Sequence, residues 1–279
     1  QPGEYYLDRT TGKLYLWPPL KTHMQDAVIQ VSISDDYLVK ATSTAGHVVF
    51  RSLVFECARQ NLIILEGSSC RVESSILRNC GKTAIVIRGQ NNQVVGSHIT
   101  QTGSSGIEID SGNRSLLTLG STSVENCAIN NFGRLSWTYK PGVHLRGVGN
   151  TVRHCHLWDA PHTAVLYAGN EHRIELNEIH DVCRHSSDAG AIYTGRDWGS
   201  RGKVIAHNFI HSINTHIDGY GVHAIYLDDC DSGDTVTGNV VYQIENNGLL
   251  VGGGRDNIIE NNLFVDCANG IFADNRGYT

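Results

Sequence analysis

Along most of the chain the apolar positions recur in short phrases, without helical or heptad stripes. One phrase reads apolar, two variable, small polar, variable, apolar. It runs Val72-Glu-Ser-Ser75-Ile-Leu77, Val94-Val-Gly-Ser97-His-Ile99, Val124-Glu-Asn-Cys127-Ala-Ile129 and Val152-Arg-His-Cys155-His-Leu157. It continues as Ile174-Glu-Leu-Asn177-Glu-Ile179, Ile205-Ala-His-Asn208-Phe-Ile210, Val236-Thr-Gly-Asn239-Val-Val241 and Ile259-Glu-Asn-Asn262-Leu-Phe264. With Leu53 upstream, the column is spaced by 22, 22, 30, 28, 22, 31, 31 and 23 residues. A second phrase, small residue, apolar, variable, apolar, interleaves with it and starts at Ala84, Gly106, Gly142, Ala164, Gly190, Ala224, Gly248 and Gly270.

Each unit therefore predicts three short strands alternating between an inner and an outer face. Such a unit cannot bury its apolar face alone, but stacked coils can, each strand pairing with its own copy ~4.8 Å away. The predicted fold is all-β: a right-handed parallel β-helix of about nine coils, with an Asn/Ser/Cys ladder at one bend. Asn there is expected to take left-handed dihedrals and pass its amide to the next coil. A β-sandwich also uses short alternating strands, but gives no reason for one column to keep register through nine repeats.

The longer coils carry their extra residues on either side of the second phrase, as in Asn131 to Lys140, His180 to Asp188, Gly195 to Gly202 and Ser212 to His223. Loops gathered at one side of a solenoid build a binding face, so the cleft is expected over this strand. Residues 1–45 read as an N-terminal hairpin and lead-in, with Thr10-Thr11-Gly12 at the turn, and residues 46–279 as the β-helix. Gly270 to Asn275 stops within a coil with no capping element after it, so further C-terminal sequence is expected.

Composition agrees with frequent sharp bends: 30 Gly and 21 Asn among 279 residues, against 5 Pro. A net charge of −6 makes nucleic acid a poor partner, and no apolar run approaches the ~20 residues of a membrane span. The eight cysteines include no close pair, which favours buried thiols over zinc ligands or a disulfide framework.

Counting the small residue of the second phrase as zero, positions +1 and +3 point inward and +2 and +4 outward. The outward columns read Val86, Glu108, His144, Leu166, Ile192, Tyr226, Leu250, Phe272 and Arg88, Asp110, Arg146, Ala168, Thr194, Asp228, Gly252, Asp274. Carboxylates, a histidine and aromatics on one face suit sugars, whose apolar patches stack on rings while their hydroxyls bond acids and amides. His162, Asp188, Arg196, Asp197, Trp198, Asp229, Arg255 and Arg276 join them from loops. Taken singly, an Asp or Arg beside Gly is more often a turn or ion-pair residue. The run Asp228-Asp229-Cys230-Asp231 is the sharpest local feature: crowded acids raise at least one pKa and provide a proton donor. No cofactor is expected, calcium at this run being the alternative.

At Asp188-Ala-Gly-Ala-Ile-Tyr-Thr-Gly-Arg-Asp-Trp198, Arg201-Gly202, Ile225-Tyr-Leu-Asp-Asp229 and Gly252-Gly-Gly-Arg-Asp-Asn257, the chain resembles the right-handed β-helix carbohydrate-active enzymes of the pectate-lyase-like superfamily. It is most similar to glycoside hydrolase family 141 and its unassigned relatives. The resemblance implies hydrolysis of a fucosylated pectic glycan or xylan by two aspartates about forty residues apart, which match Asp188 and Asp229. It also implies a secreted or periplasmic bacterial protein.

The coil geometry sets a condition on that pair. Asp188 at −2 and Asp229 at +5 stand roughly 23 Å apart along extended strands, so the loop before Gly190 must fold back. Asp228 and Asp274 share the +4 column, about 10 Å apart over two coils, near the ~6.5–9.5 Å of an inverting pair. The expected catalytic set is therefore Asp188, Asp229 and Asp228. The sugar-binding set is His144, His162, Arg196, Asp197, Trp198, Tyr226, Arg255 and Asp274, with Trp198 and His162 shaping a subsite. The expected partner is a polysaccharide or oligosaccharide bound by a monomer, with no nucleic acid or membrane. The alternatives are a polysaccharide lyase acting on uronates, with Arg stabilising the developing charge, and a non-catalytic glycan-binding β-solenoid.

Overall fold

The structure, a computed structural model, describes residues 2–19, 24–25 and 27–276. The chain divides into two compact units, residues 1–32 and 33–279. The first contains the antiparallel hairpin of Tyr5–Asp8 with Lys13–Leu16, closed by the Asp8 carboxylate accepting from the Thr10 and Thr11 amides and the Thr11 hydroxyl.

The second unit is a stack of parallel strands. One face holds nine strands in chain order, from Val49–Arg51 to Ile258–Glu260, every neighbour one coil further along. A second face runs from Val54–Ala58 through His156–Trp158, Glu178–His180 and Phe209–Ile213. A third starts at Val39–Ala41, which pairs with Ile63–Leu65, and runs through Val143–Gly147, Val165–Tyr167, Ala189–Gly195 and Val222–Asp228. The second and third faces merge into the long strands Val240–Gly252 and Leu263–Asp274. This is the predicted architecture. The predicted inward residues, among them Ile85, Ile87, Ile107, Ile109, Val143, Leu145, Ile225 and Leu227, form one fully buried core with the inner columns of the other two faces.

The bend ladder is present. Asn177, Asn208 and Asn239 each donate a side-chain amide to the next Asn oxygen at 2.9 Å, ending on Asn262, and Ser75 and Ser97 continue the column. The left-handed residue is not the ladder Asn, as expected, but the one before it: Leu176, His207, Gly238 and Asn261 have φ between 54° and 66°. The ladder fixes the Asn side chain across coils, and the preceding residue makes the bend.

A second ladder precedes the strands of the first face and escaped the sequence reading. The Thr122 amide donates to Asn150 Oδ1, and the Asn150 amide donates to His172 Nδ1 at 3.1 Å. Buried His172 accepts at Nδ1 and so carries its proton on Nε2, toward the Ala168 carbonyl at 3.1 Å. Burial pulls its pKa from 6.5 to about 4. The unfolded chain thus takes up a proton that the folded chain refuses, so stability present above pH 6.5 is lost as pH falls toward 4, on the order of 2 kcal/mol by pH 5. Urea midpoints of the wild type and His172→Asn should converge on acidification. Parallel profiles would remove His172 as a cause.

In the same column Lys203, 1% exposed, follows His172. Its ammonium lies 2.7 Å from both Asp231 Oδ1 and Asp234 Oδ1 and donates to the Ser200 hydroxyl, while Tyr167, a core residue of the third face, donates its hydroxyl to Asp234 at 2.6 Å. The eight cysteines are free thiols, five of them buried.

Candidate functional site

Register along the third face decides which side chains meet. Ala189–Gly195 pairs with Val222–Asp228 at an offset of 33, so Ala191, not Gly190, sits beside Ala224. The outward columns therefore hold Tyr193 and Gly195 at this coil instead of the expected Ile192 and Thr194, which are buried at 0% and 1% exposure. A slip of one residue exchanges the faces of a strand. The sequence signal was the repeated Ala-Ile-Tyr at 191–193 and 224–226.

Leu166, Tyr193, Tyr226 and Leu250 consequently form an apolar row on the outside of the sheet, with the two tyrosine rings edge to face at 5.2 Å. Their phenols are anchored to acids. Tyr193 donates to Asp228 Oδ2 at 2.7 Å and Tyr226 to Asp188 Oδ1 at 3.2 Å. Burial pushes both phenols up, keeping them protonated donors. Tyr226 is 1% exposed, so it cannot stack on sugar as predicted and instead positions carboxylates.

Arg276 closes the cluster. It donates through Nη1 to Asp228 at 2.8 Å and Asp229 at 3.1 Å, through Nε to Asp274 at 2.7 Å, and lies 3.5 Å from the Tyr226 hydroxyl. Glycine at 252 makes room for it, since a Cβ there would come within 2.8 Å of the guanidinium. The Asp228/Asp274 pair is thus bridged by the Arg276 guanidinium. Asp228 is buried, accepts from Tyr193, Arg276 and the Asp229 amide, and serves as a support. Asp229 reaches the surface, and Arg196, donating at 2.8 Å, together with Arg276 holds its carboxyl below the usual carboxylate range.

Asp188 and Asp229 are linked indirectly, through the Tyr226 hydroxyl and Arg276. The Asp188 amide bonds the Gly221 carbonyl at the start of the strand, and the Tyr226 side chain reaches back to its carboxylate. Among the described residues Asp188 is exposed and has no arginine partner, unlike Asp228, Asp229 and Asp274.

The acid run does not converge on one point. A bend at Asp229 and Cys230, with φ of 40° and 65°, turns Asp231 into the interior toward Lys203. Burial pushes the carboxyls of Asp231 and Asp234 upward. The bend splits the oxygen set the calcium alternative required.

Other predicted residues disperse. Asp197 pairs with Arg114 at 2.7 Å and accepts from the Gly199 amide, a turn and ion-pair role. Trp198 carries Arg255 at 5.8 Å from its ring centroid, and the two line a shallow hollow with Glu171, Arg201 and Asp256. Among the described residues, no bond ties them to the Tyr226 cluster. His162 is 4% exposed, its pKa pulled to about 4 by burial, and it packs at 5.1 Å under Tyr139. The expected Trp198–His162 subsite is therefore not assembled. Tyr139, from the Asn131 to Lys140 loop, is 45% exposed and 6.3 Å from Tyr193, and offers the aromatic platform that the sequence reading missed. His144 is on this face two coils away, aligned through Leu166 with Tyr193, its pKa lowered to about 4 by burial.

A family model described as a right-handed β-helix region matches residues 141–278. No curated protein sequence matches the chain. Among solved structures, one described as a glycoside hydrolase is similar with a TM-score of 0.55 at 16% identity, over 75% of this chain and 38% of its own. The A-module of a mannuronan C-5 epimerase from Azotobacter vinelandii gives 0.56 at 11% identity, over 80% and 57%. A surface adhesin of Streptococcus pneumoniae gives 0.55 at 14%, over 78% and 65%. The chain thus spans between about two fifths and two thirds of the length of these structures. Their functions differ while their coils agree, and what the chain shares with them is its fold, the right-handed parallel β-helix.

Proposed function

We propose that this β-helix belongs to a glycoside hydrolase acting on a plant-type glycan, fucosylated pectic or xylan, with Asp188 as the acid and Asp229 as the base or nucleophile. The observation that carries the reading is the contrast between the two carboxylates. Asp229 is kept ionised by Arg196 and Arg276, whereas Asp188 meets the neutral phenol of Tyr226 and no arginine among the described residues. A base or nucleophile needs a carboxylate that stays ionised, as Asp229 does, which leaves the acid role to Asp188 as the second member of the pair. Tyr139 and Arg196 are the exposed groups beside them that would hold the sugar. The likeness of the Asp188 to Trp198 and Ile225 to Asp229 segments to family 141 supports the same pair. A secreted or periplasmic monomer fits this reading.

A uronate lyase is the second reading, favoured by two arginines at the face. Against it, the buried tyrosines are held protonated and so do not supply its base. Incubation with fucosylated pectic, xylan and uronate-rich glycans, scoring reducing ends and unsaturated uronate together, separates the readings. Reducing ends without unsaturation are expected. Unsaturation would make the protein a lyase, and binding without cleavage would make it a glycan-binding solenoid.

A further inference from the structure

The second face carries a cluster that the proposed hydrolysis does not use. Its outward columns align His156 with Glu178 and Phe209, and Trp158 with His180 and His211. Consecutive coils therefore stack three imidazoles, with centroids 4.9 Å apart for His156 and His180 and 4.8 Å for His180 and His211.

Their ring nitrogens are directed, not merely crowded. His180 Nδ1 faces Asp181 Oδ2 at 2.8 Å, and Asp181 is itself held by Arg184 at 2.8 Å, which also grips Asp159. An ionised carboxylate can only accept, so His180 carries its proton on Nδ1 and presents a bare Nε2 lone pair. That nitrogen points at His156 Nε2, 2.7 Å away. His211 is turned the other way, with Nε2 3.5 Å from the accepting Glu178 Oε1 and Nδ1 3.1 Å from the Ser212 hydroxyl. One donor atom each from His156, Glu178 and His180 lies within 4.8 Å of the others.

We propose that His156, Glu178 and His180 bind a divalent cation of the zinc class, with His211 beside them as a further donor and Asp181 as the positioning residue. Two imidazoles and a carboxylate suit zinc, copper or nickel rather than calcium or magnesium. A carboxylate behind the ligating imidazole is the usual outer partner of such a site. Tetrahedral zinc with bonds of ~2.0–2.1 Å sets ligand atoms ~3.3 Å apart, so the His156–His180 contact opens by about 0.6 Å on binding. The bound ion ties neighbouring coils of one face together.

The test uses the chain without a histidine tag, stripped by chelator and titrated with zinc by calorimetry and by competition against a chromophoric chelator. One equivalent per chain is expected, with a rise in thermal midpoint and, on substitution by cobalt, the visible bands of a tetrahedral site. Asp181→Asn should weaken binding about 10–100-fold, and His180→Gln should abolish the stoichiometric step. Glu178→Gln, at a half-exposed position, gives a variant whose folding is not at risk if His180→Gln fails to fold. Zinc binding unchanged in His180→Gln and Glu178→Gln, or absent in the wild type, would overturn the proposal and leave the histidines as a stacking ladder.

Discussion

Replacing Asp188 by asparagine is expected to lower turnover of the cleaved glycan by about 10²–10⁴-fold, the usual worth of a positioned general acid. Asparagine still accepts the Tyr226 hydroxyl bond at this site, so the fold and the phenol remain in place. The decisive comparison is with an aryl glycoside of the same sugar, whose phenolate leaves without protonation. There the variant should lose little. Asp229→Asn should instead lose activity on both substrates, because base or nucleophile is needed whatever the leaving group. An equal loss for Asp188→Asn on both substrates would move the acid elsewhere, and full activity of Asp229→Asn would end its assignment. Substitution of Tyr226 by Phe separates support from chemistry. It removes the hydroxyl that bonds Asp188, and the loss should fall on kcat rather than KM.

The largest stability effect is expected at Lys203. Lys203→Met leaves Asp231 and Asp234, both 0% exposed, with no cation inside the core. Breaking a buried pair by removing one partner costs about 3–5 kcal/mol, and the urea midpoint reads it directly. Asp234 is already pushed up to about 7, by burial first and then by the charge of Asp231. A carboxyl raised in the folded state contributes stability that is full below its unfolded value near 3.8 and is lost as pH rises through 7. The deficit of Lys203→Met should therefore shrink between pH 7 and pH 5. The triple change adding Asp231→Asn and Asp234→Asn should restore most of the stability at neutral pH. A deficit under about 1 kcal/mol in Lys203→Met would show that the ammonium is not needed to neutralise the pair.

Two lines of chemistry meet at residues 228 to 234. The same short segment supplies a support for the surface cluster through Asp228, a surface acid through Asp229, and interior counter-ions through Asp231 and Asp234. A run of like charges in the sequence is here divided between two environments by one bend. Crowding of acids in sequence therefore said little about a shared proton.

The sequence by itself determined the fold and the ladder. In a stacked solenoid each strand pairs with its own copy, so periodic columns such as Val72 to Ile259 and Ser75 to Asn262 are contacts written in order along the chain. The inward alternation of Ile85, Ile87, Ile225 and Leu227 follows from the same period. Only the tertiary structure decided what breaks the period. The one-residue register that turns Tyr193 to the outer side of its strand depends on backbone pairing. Tyr139 and Arg276 arrive from segments outside the repeated strands, and Lys203 enters a ladder column between His172 of the coil before and Asp234 of the coil after. Whether Asp188, Asp229 or Asp231 meets a phenol, a guanidinium or an ammonium depends on distances of a few ångströms between coils. Coulomb and hydrogen-bond energies fall away over those distances, and the column pattern does not encode them.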